Sequence, residues 1–220
     1  MLTCHGDDSP AVETIVDRFH AGLSYGRFRT DLSFLSGSEA SLRRDAVIAT
    51  LDVRIDPQTT LSGSLGAGTS GLLITGGQRY EILPGAMIAG SFSRRLLDGR
   101  GAAPFLLFGI TAAASTARIR AAAADTDPTP RAYGFHALDL RAGLTVGKTF
   151  AGVVSPYAAA RLFGGPVFWQ QRDRTLIGGD LYHYQLAAGL FASLPKKIDV
   201  FAEGAPFGER ALTIGGGVSF

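Results

Sequence analysis

Residues 46–55 read AVIATLDVRI, and the polarity changes at almost every step. Val47, Ala49, Leu51, Val53 and Ile55 fall on one side of an extended chain, and Ile48, Thr50, Asp52 and Arg54 on the other. Successive side chains of a strand point to opposite faces, so this pattern fits a sheet with two unlike sides. The same period returns in 104–115, 136–150 and 181–194. No stretch sustains the i, i+3, i+4, i+7 spacing of an amphipathic helix. The longest apolar run, GAAPFLLFGITAAASTA at 101–117, is short for a spanning helix and carries Pro104, Gly109, Thr111, Ser115 and Thr116.

The periodicity predicts an all-β chain with ten strands, at 17–33, 43–55, 59–74, 79–96, 104–120, 135–149, 154–171, 181–194, 198–205 and 209–220. Counts of eight or twelve follow if the first strand or the end is divided differently. Phe19, Ala21, Leu23 and Tyr25 share a face, but the apolar phase slips near Gly26, which predicts a bulge there. A second slip surrounds Pro166, a residue that a sheet accepts at bulges or edges.

The connections alternate. Short turns at 56–58, 97–103, 150–153 and 195–197 share one end. The other end carries 34–42, 75–78, 121–134 and 172–180, most of them longer and more polar, with 206–208 a short exception. Antiparallel neighbours joined in sequence, with unequal ends, predict an up-and-down barrel. Charged residues are only 18% of the 220, and they avoid the middle of the apolar face. They gather on the other face, where Asp52, Arg54, Glu81, Arg95, Asp139, Arg141, Arg161, Asp199 and Glu203 lie among small residues, with His183 near the long-loop end. Nine charges in a soluble core would be costly unless paired. The lumen of a membrane barrel is polar, and closure leaves no open edge in lipid. Tyr80, Trp169, Tyr182 and Tyr184 near one end, with Phe150 and Phe220 near the other, predict two interfacial girdles. The net charge of +2, with no basic run longer than two, carries no nucleic-acid footprint. The single cysteine, Cys4, makes neither an intrachain disulfide nor a zinc site.

The last ten residues, ALTIGGGVSF, set Leu212, Ile214, Val218 and Phe220 at every second position. This stretch resembles the terminal assembly signal of bacterial outer-membrane proteins, from which Gly216 departs. More generally the chain resembles small outer-membrane β-barrels of Gram-negative bacteria. The resemblance implies an outer-membrane bilayer around the barrel, recognition of the last strand by the barrel-insertion machinery, and an export signal outside this sequence. The domain expectation is an N-terminal periplasmic tail at 1–16 and a transmembrane barrel at 17–220.

Two uses of the luminal charges stand open. They form a salt-bridge network filling a narrow barrel, or they line a path for small solutes or ions. The expected function is a structural barrel or a narrow passive channel, without cofactor or metal. An enzyme is not expected, because no nucleophile stands within reach of a base. A deacylase-like site would want His and Ser at i, i+2, and an omptin-like protease paired acids beside an Asp–His pair. The alternative, a barrel-embedded hydrolase acting on envelope lipid or peptide, would rest on His183 and Asp139. A soluble ligand-binding barrel is opposed by the polar inner face.

Overall fold

The computed structural model describes residues 17–121, 131–171 and 174–220. The expected tail at 1–16, with Cys4, lies outside the described residues. Thirteen strands form one antiparallel sheet: β1 (Phe19–Phe34), β2 (Glu39–Arg54), β3 (Thr59–Thr75), β4 (Gln78–Ile82), β5 (Gly85–Asp98), β6 (Phe105–Ala121), β7 (Ala132–Gly147), β8 (Val154–Gly164), β9 (Val167–Gln171), β10 (Arg174–Asp180), β11 (Tyr184–Leu194), β12 (Ile198–Gly208) and β13 (Arg210–Ser219). The stretch at 101–117, weighed above as a helix, enters β6.

The sheet closes into a ring. Around the end that holds Phe19 and Phe220, here the base, the pairing runs β1–β2–β3–β5–β6–β7–β8–β11–β12–β13 and back to β1, ten staves in all. The extra segments arise where three staves are interrupted: β4/β5 at Leu83–Pro84, β8/β9 at Gly165–Pro166 and β10/β11 at residues 181–183. Around the opposite end, the tip, the ring has eight staves. There β12 and β13 have already turned back, β4 and β9 replace β5 and β8, and β10 pairs directly with β1 through Leu32↔Asp180 and Phe34↔Gly178.

The two faces exchange character along the staves. On β6 the outward series Leu106, Phe108, Ile110, Ala112, Ala114 gives way beyond Thr116 to Arg118 and Arg120, while Ala117 and Ile119 turn inward and are buried. On β1, Phe19, Leu23 and Tyr25 face out and are followed by Arg27, Arg29 and Asp31, while Leu32 and Phe34 are buried inside. This exchange explains the phase slip near Gly26. The expected bulge is absent there: β1 pairs with β2 without a register shift from Phe19↔Val53 to Ser33↔Glu39. Register shifts occur instead at Arg44/Ala46, Arg95/Leu97 and Leu186/Ala188.

The belt nearer the base exposes large apolar side chains, among them Leu65 (66%), Leu140 (59%) and Leu162 (68%). From Leu138 to Val146 on β7 the belt spans nine residues, the length a tilted strand needs to cross the hydrocarbon of a bilayer. At the tip, the connection expected at 34–42 is shorter and the one at 75–78 is a tight turn, because the strands extend further than their apolar phase showed. Residues 35–38 join β1 to β2, and Gly76–Gly77 join β3 to β4. Both of these glycines have positive φ (54° and 77°), as a two-residue hairpin turn requires. Most of 172–180 belongs to β10. In the turn after β2, Asp56 accepts the Gln58 N–H at 2.8 Å, which holds its carboxyl below the ordinary range.

Candidate functional site: the layered interior

Closure positions everything inside. Phe19 and Phe220 exchange backbone hydrogen bonds of 3.0 and 2.9 Å and stack their rings at 5.9 Å, so the seam is paired to its last residue. Leu212, Ile214, Val218 and Phe220 all face outward and are exposed. Gly216, on the same face, approaches the wall closely: a Cβ there would lie 2.7 Å from the Asp199 carbonyl oxygen. This is the physical reason for its departure from a larger apolar residue.

Just inside the base, β1, β2 and β12 bring together His20, Asp52 and Asp199, with relative exposures of 5%, 3% and 3%. His20 Nδ1 lies 2.8 Å from Asp52 Oδ2, and Nε2 lies 2.9 Å from Asp199 Oδ2. One imidazole therefore lies between two carboxylates across the seam, hydrogen-bonded to Asp52 through Nδ1 and close to Asp199 through Nε2. Gly217 makes the room, since a Cβ at that position would run into the His20 ring. Arg54 and Arg95 flank a recess on the base side of this group.

Above it a cavity of about 280 Å³ opens inside the wall. Its surface combines Phe105, Leu107, Phe191 and Phe201 with hydroxyl groups and the Arg161–Glu203 pair. Arg161 meets Glu203 through two parallel bonds, Nη1–Oε1 at 2.7 Å and Nη2–Oε2 at 2.6 Å. Gln185 Oε1 accepts from Arg161 at 2.7 Å, and the Tyr157 hydroxyl donates to Glu203 at 3.1 Å. A second pair lies alongside. Arg141 donates to both oxygens of Glu209 at 2.7 and 2.9 Å, bonds Asp139, and stacks over the Phe163 ring at 4.7 Å. Gln185 Nε2 donates to Glu209 at 3.1 Å and joins the two pairs. Bidentate guanidinium–carboxylate pairs are the strong form of this contact.

The tip is filled by carbon. Leu32, Phe34, Ala40, Leu73, Ile82, Ala117, Ile119, Phe135, Val167 and Trp169 form one cluster, each no more than 5% exposed. Tyr80 packs against it, edge-on to Trp169 at 5.0 Å.

Eight of the ten expected luminal residues therefore lie inside: Asp52, Arg54, Arg95, Asp139, Arg141, Arg161, Asp199 and Glu203. Two do not. Glu81 sits outside beside Arg120, whose Nη2 lies 2.7 Å from its Oε2, because β4 lies above the belt, where the outer face is polar. His183 is exposed between β10 and β11, its Nδ1 3.2 Å from the Phe163 carbonyl oxygen, and Asp139 bonds Arg141 instead. Of the expected girdle, Phe150, Tyr182 and Tyr184 are exposed, while Tyr80 and Trp169 turn into the tip cluster, again because the faces exchange polarity. His20, Tyr157, Gln185 and Glu209 also lie in the interior, beyond the expected luminal set. Their alternation places them on the inner face, but strand register, which decides who meets whom, is not written in any one segment.

No protein-family model matches the chain, and no curated protein matches it. Solved structures do. The outer-membrane protease OmpT from Escherichia coli superposes with a TM-score of 0.58 over 96% of this chain and 99% of that one, at 10% identity. The fold is that of a bacterial outer-membrane barrel. The translocator domain of the autotransporter NalP from Neisseria meningitidis gives 0.51 over 92% and 88%, at 12% identity. An apolar belt around a polar interior is the arrangement such barrels use in a bilayer. The protease among these structures overturns one expectation. The reading of the chain as not an enzyme does not stand, because this fold carries hydrolysis in a protein that it superposes on almost end to end.

Proposed function

We propose that the chain is an outer-membrane barrel sealed at its tip, with an interior chamber on the base side and no aqueous path from end to end. The observation behind this reading is the tip cluster, ten buried apolar side chains filling an eight-stave ring. Eight staves leave an interior just wide enough for side chains to fill, whereas ten leave space below. The outer wall of the tip carries charge, such as Arg27 with Asp45 at 2.9 Å and Arg120 with Glu81, so this part stands in water above the belt. The tip then faces outward from the cell and the base faces the periplasm. Of the two uses open to the luminal charges, the solute path gives way in this reading to paired charges around a blind chamber. Insertion into the membrane would use the exposed last strand, with Leu212, Ile214, Val218 and Phe220 offered to the insertion machinery.

The test is single-channel recording in planar bilayers, on protein whose unheated band on SDS gel runs apart from the boiled one. The sealed barrel gives a folded band and no steady current. A steady, ion-selective current from the folded protein would sink the reading.

A further inference from the structure

We infer that the 280 Å³ chamber is a binding site for a small neutral amphipathic molecule, one ring or a short branched chain carrying a hydroxyl or carbonyl group. The inference rests on the sealed-tip reading, since a through-pore would exchange the chamber's contents freely with water. Three observations carry it.

The first is size. An apolar cavity of about 150 Å³ suffices to hold benzene, and this chamber has room for a substituted ring. The second is the division of its wall. Phe105, Leu107 and Phe191 are 3–5% exposed, so the carbon side of this wall is turned inward and away from lipid. Water in contact with that surface is poorly bonded, and an apolar body displaces it favourably. The third is the state of the polar side. Arg161 and Glu203 neutralise one another through two bonds, and Gln185 and Tyr157 occupy further positions. This leaves no excess charge to attract an ion. The Thr145 hydroxyl lies on the same wall. A neutral head group that donates or accepts one bond fits this surface, and a carboxylate would be desolvated without a counter-charge.

The experiment titrates benzyl alcohol, toluene and benzoate into the detergent-solubilised barrel and follows the Leu107 methyl resonances. The inference expects a saturable shift with benzyl alcohol and binding of benzoate weaker by about tenfold or more, the scale of one lost hydrogen bond or one unpaired charge. Gly22→Leu should abolish the shift. Gly22 lines the chamber, and a Cβ there meets only ordinary contacts at 3.4 and 3.5 Å, so the longer side chain fills the space. Thr145→Val should weaken benzyl alcohol several-fold and leave toluene unchanged. A shift that grows linearly without saturation, or one that survives Gly22→Leu, is partition into the micelle and overturns the site. If Gly22→Leu does not fold, the Thr145→Val comparison decides: equal effects on both ligands overturn the polar contact. Conductance on the same sample keeps the two readings apart. Current with saturable binding sinks the sealed tip and retains the site, and silence with no binding overturns the site alone.

Discussion

Leu32 pairs with Asp180, although Arg29, three residues earlier on the same strand, pairs with Arg210. Between these two positions β1 changes its neighbour from β13 to β10, and the wall narrows from ten staves to eight. The β12–β13 hairpin ends too early to reach the tip, so β10 closes the gap above it. Leu181 N–H donates to the Asp31 carbonyl at 2.7 Å, and the Thr30 hydroxyl donates to Asp180 at 2.9 Å, which fasten the junction. The wide part is lined by paired charges around a chamber, and the narrow part is filled with carbon.

The tip cluster should behave as a conventional hydrophobic core. Trp169→Ala removes its largest side chain, and large-to-small changes of this kind cost about 3–5 kcal/mol. Urea unfolding from detergent micelles measures it. A loss within a few tenths of a kcal/mol would return Trp169 to the girdle.

His20→Ala leaves Asp52 and Asp199 buried without the ring that spans them. Removing one partner of a buried ionic group costs about 3–5 kcal/mol. The triple change with Asp52→Asn and Asp199→Asn should recover part of the loss, because no uncompensated carboxylate then remains. Additive losses in the same unfolding measurement would mean that the three groups are not coupled.

Gly217→Ala tests the space made for that ring. Its Cβ would meet the His20 imidazole and would lie 2.6 Å from the Ala21 carbonyl oxygen, which cannot move without disturbing the seam. Overpacking of this sort costs about 1–3 kcal/mol. Gly63→Ala, where a Cβ meets nothing within 4 Å, is the control and should be close to neutral.

Changes of charge on the belt should cost far more stability than changes of charge on the tip wall. Leu140→Arg places a guanidinium against lipid, at about 2–4 kcal/mol near the midplane. Glu81→Ala removes an exposed ion pair with Arg120 and should change stability by less than about 1 kcal/mol. Equal effects at the two positions would place the membrane boundary elsewhere on the wall.

Alternation alone determined much of this protein. Val47, Leu51 and Val53 opposite Thr50, Asp52 and Arg54 could only be a two-faced strand, and repetition of that pattern predicted a closed antiparallel barrel with lipid outside. It also placed Arg161 and Glu203 on the inner face, since a period of two survives any pairing. What it could not carry was the depth at which the environment reverses. Tyr80, Glu81 and Trp169 lie on the faces opposite to those that apolar-outward alternation along the whole stave predicts. Above the belt the surroundings change from lipid to water, and apolar side chains turn in. That reversal also imitated a bulge at Gly26 and made strands 39–42 and 174–180 look like loops. The His20 group, the junction at Asp180 and the chamber depend on register between strands far apart in sequence. Register follows from the closure of the whole ring, so only the tertiary structure decided them.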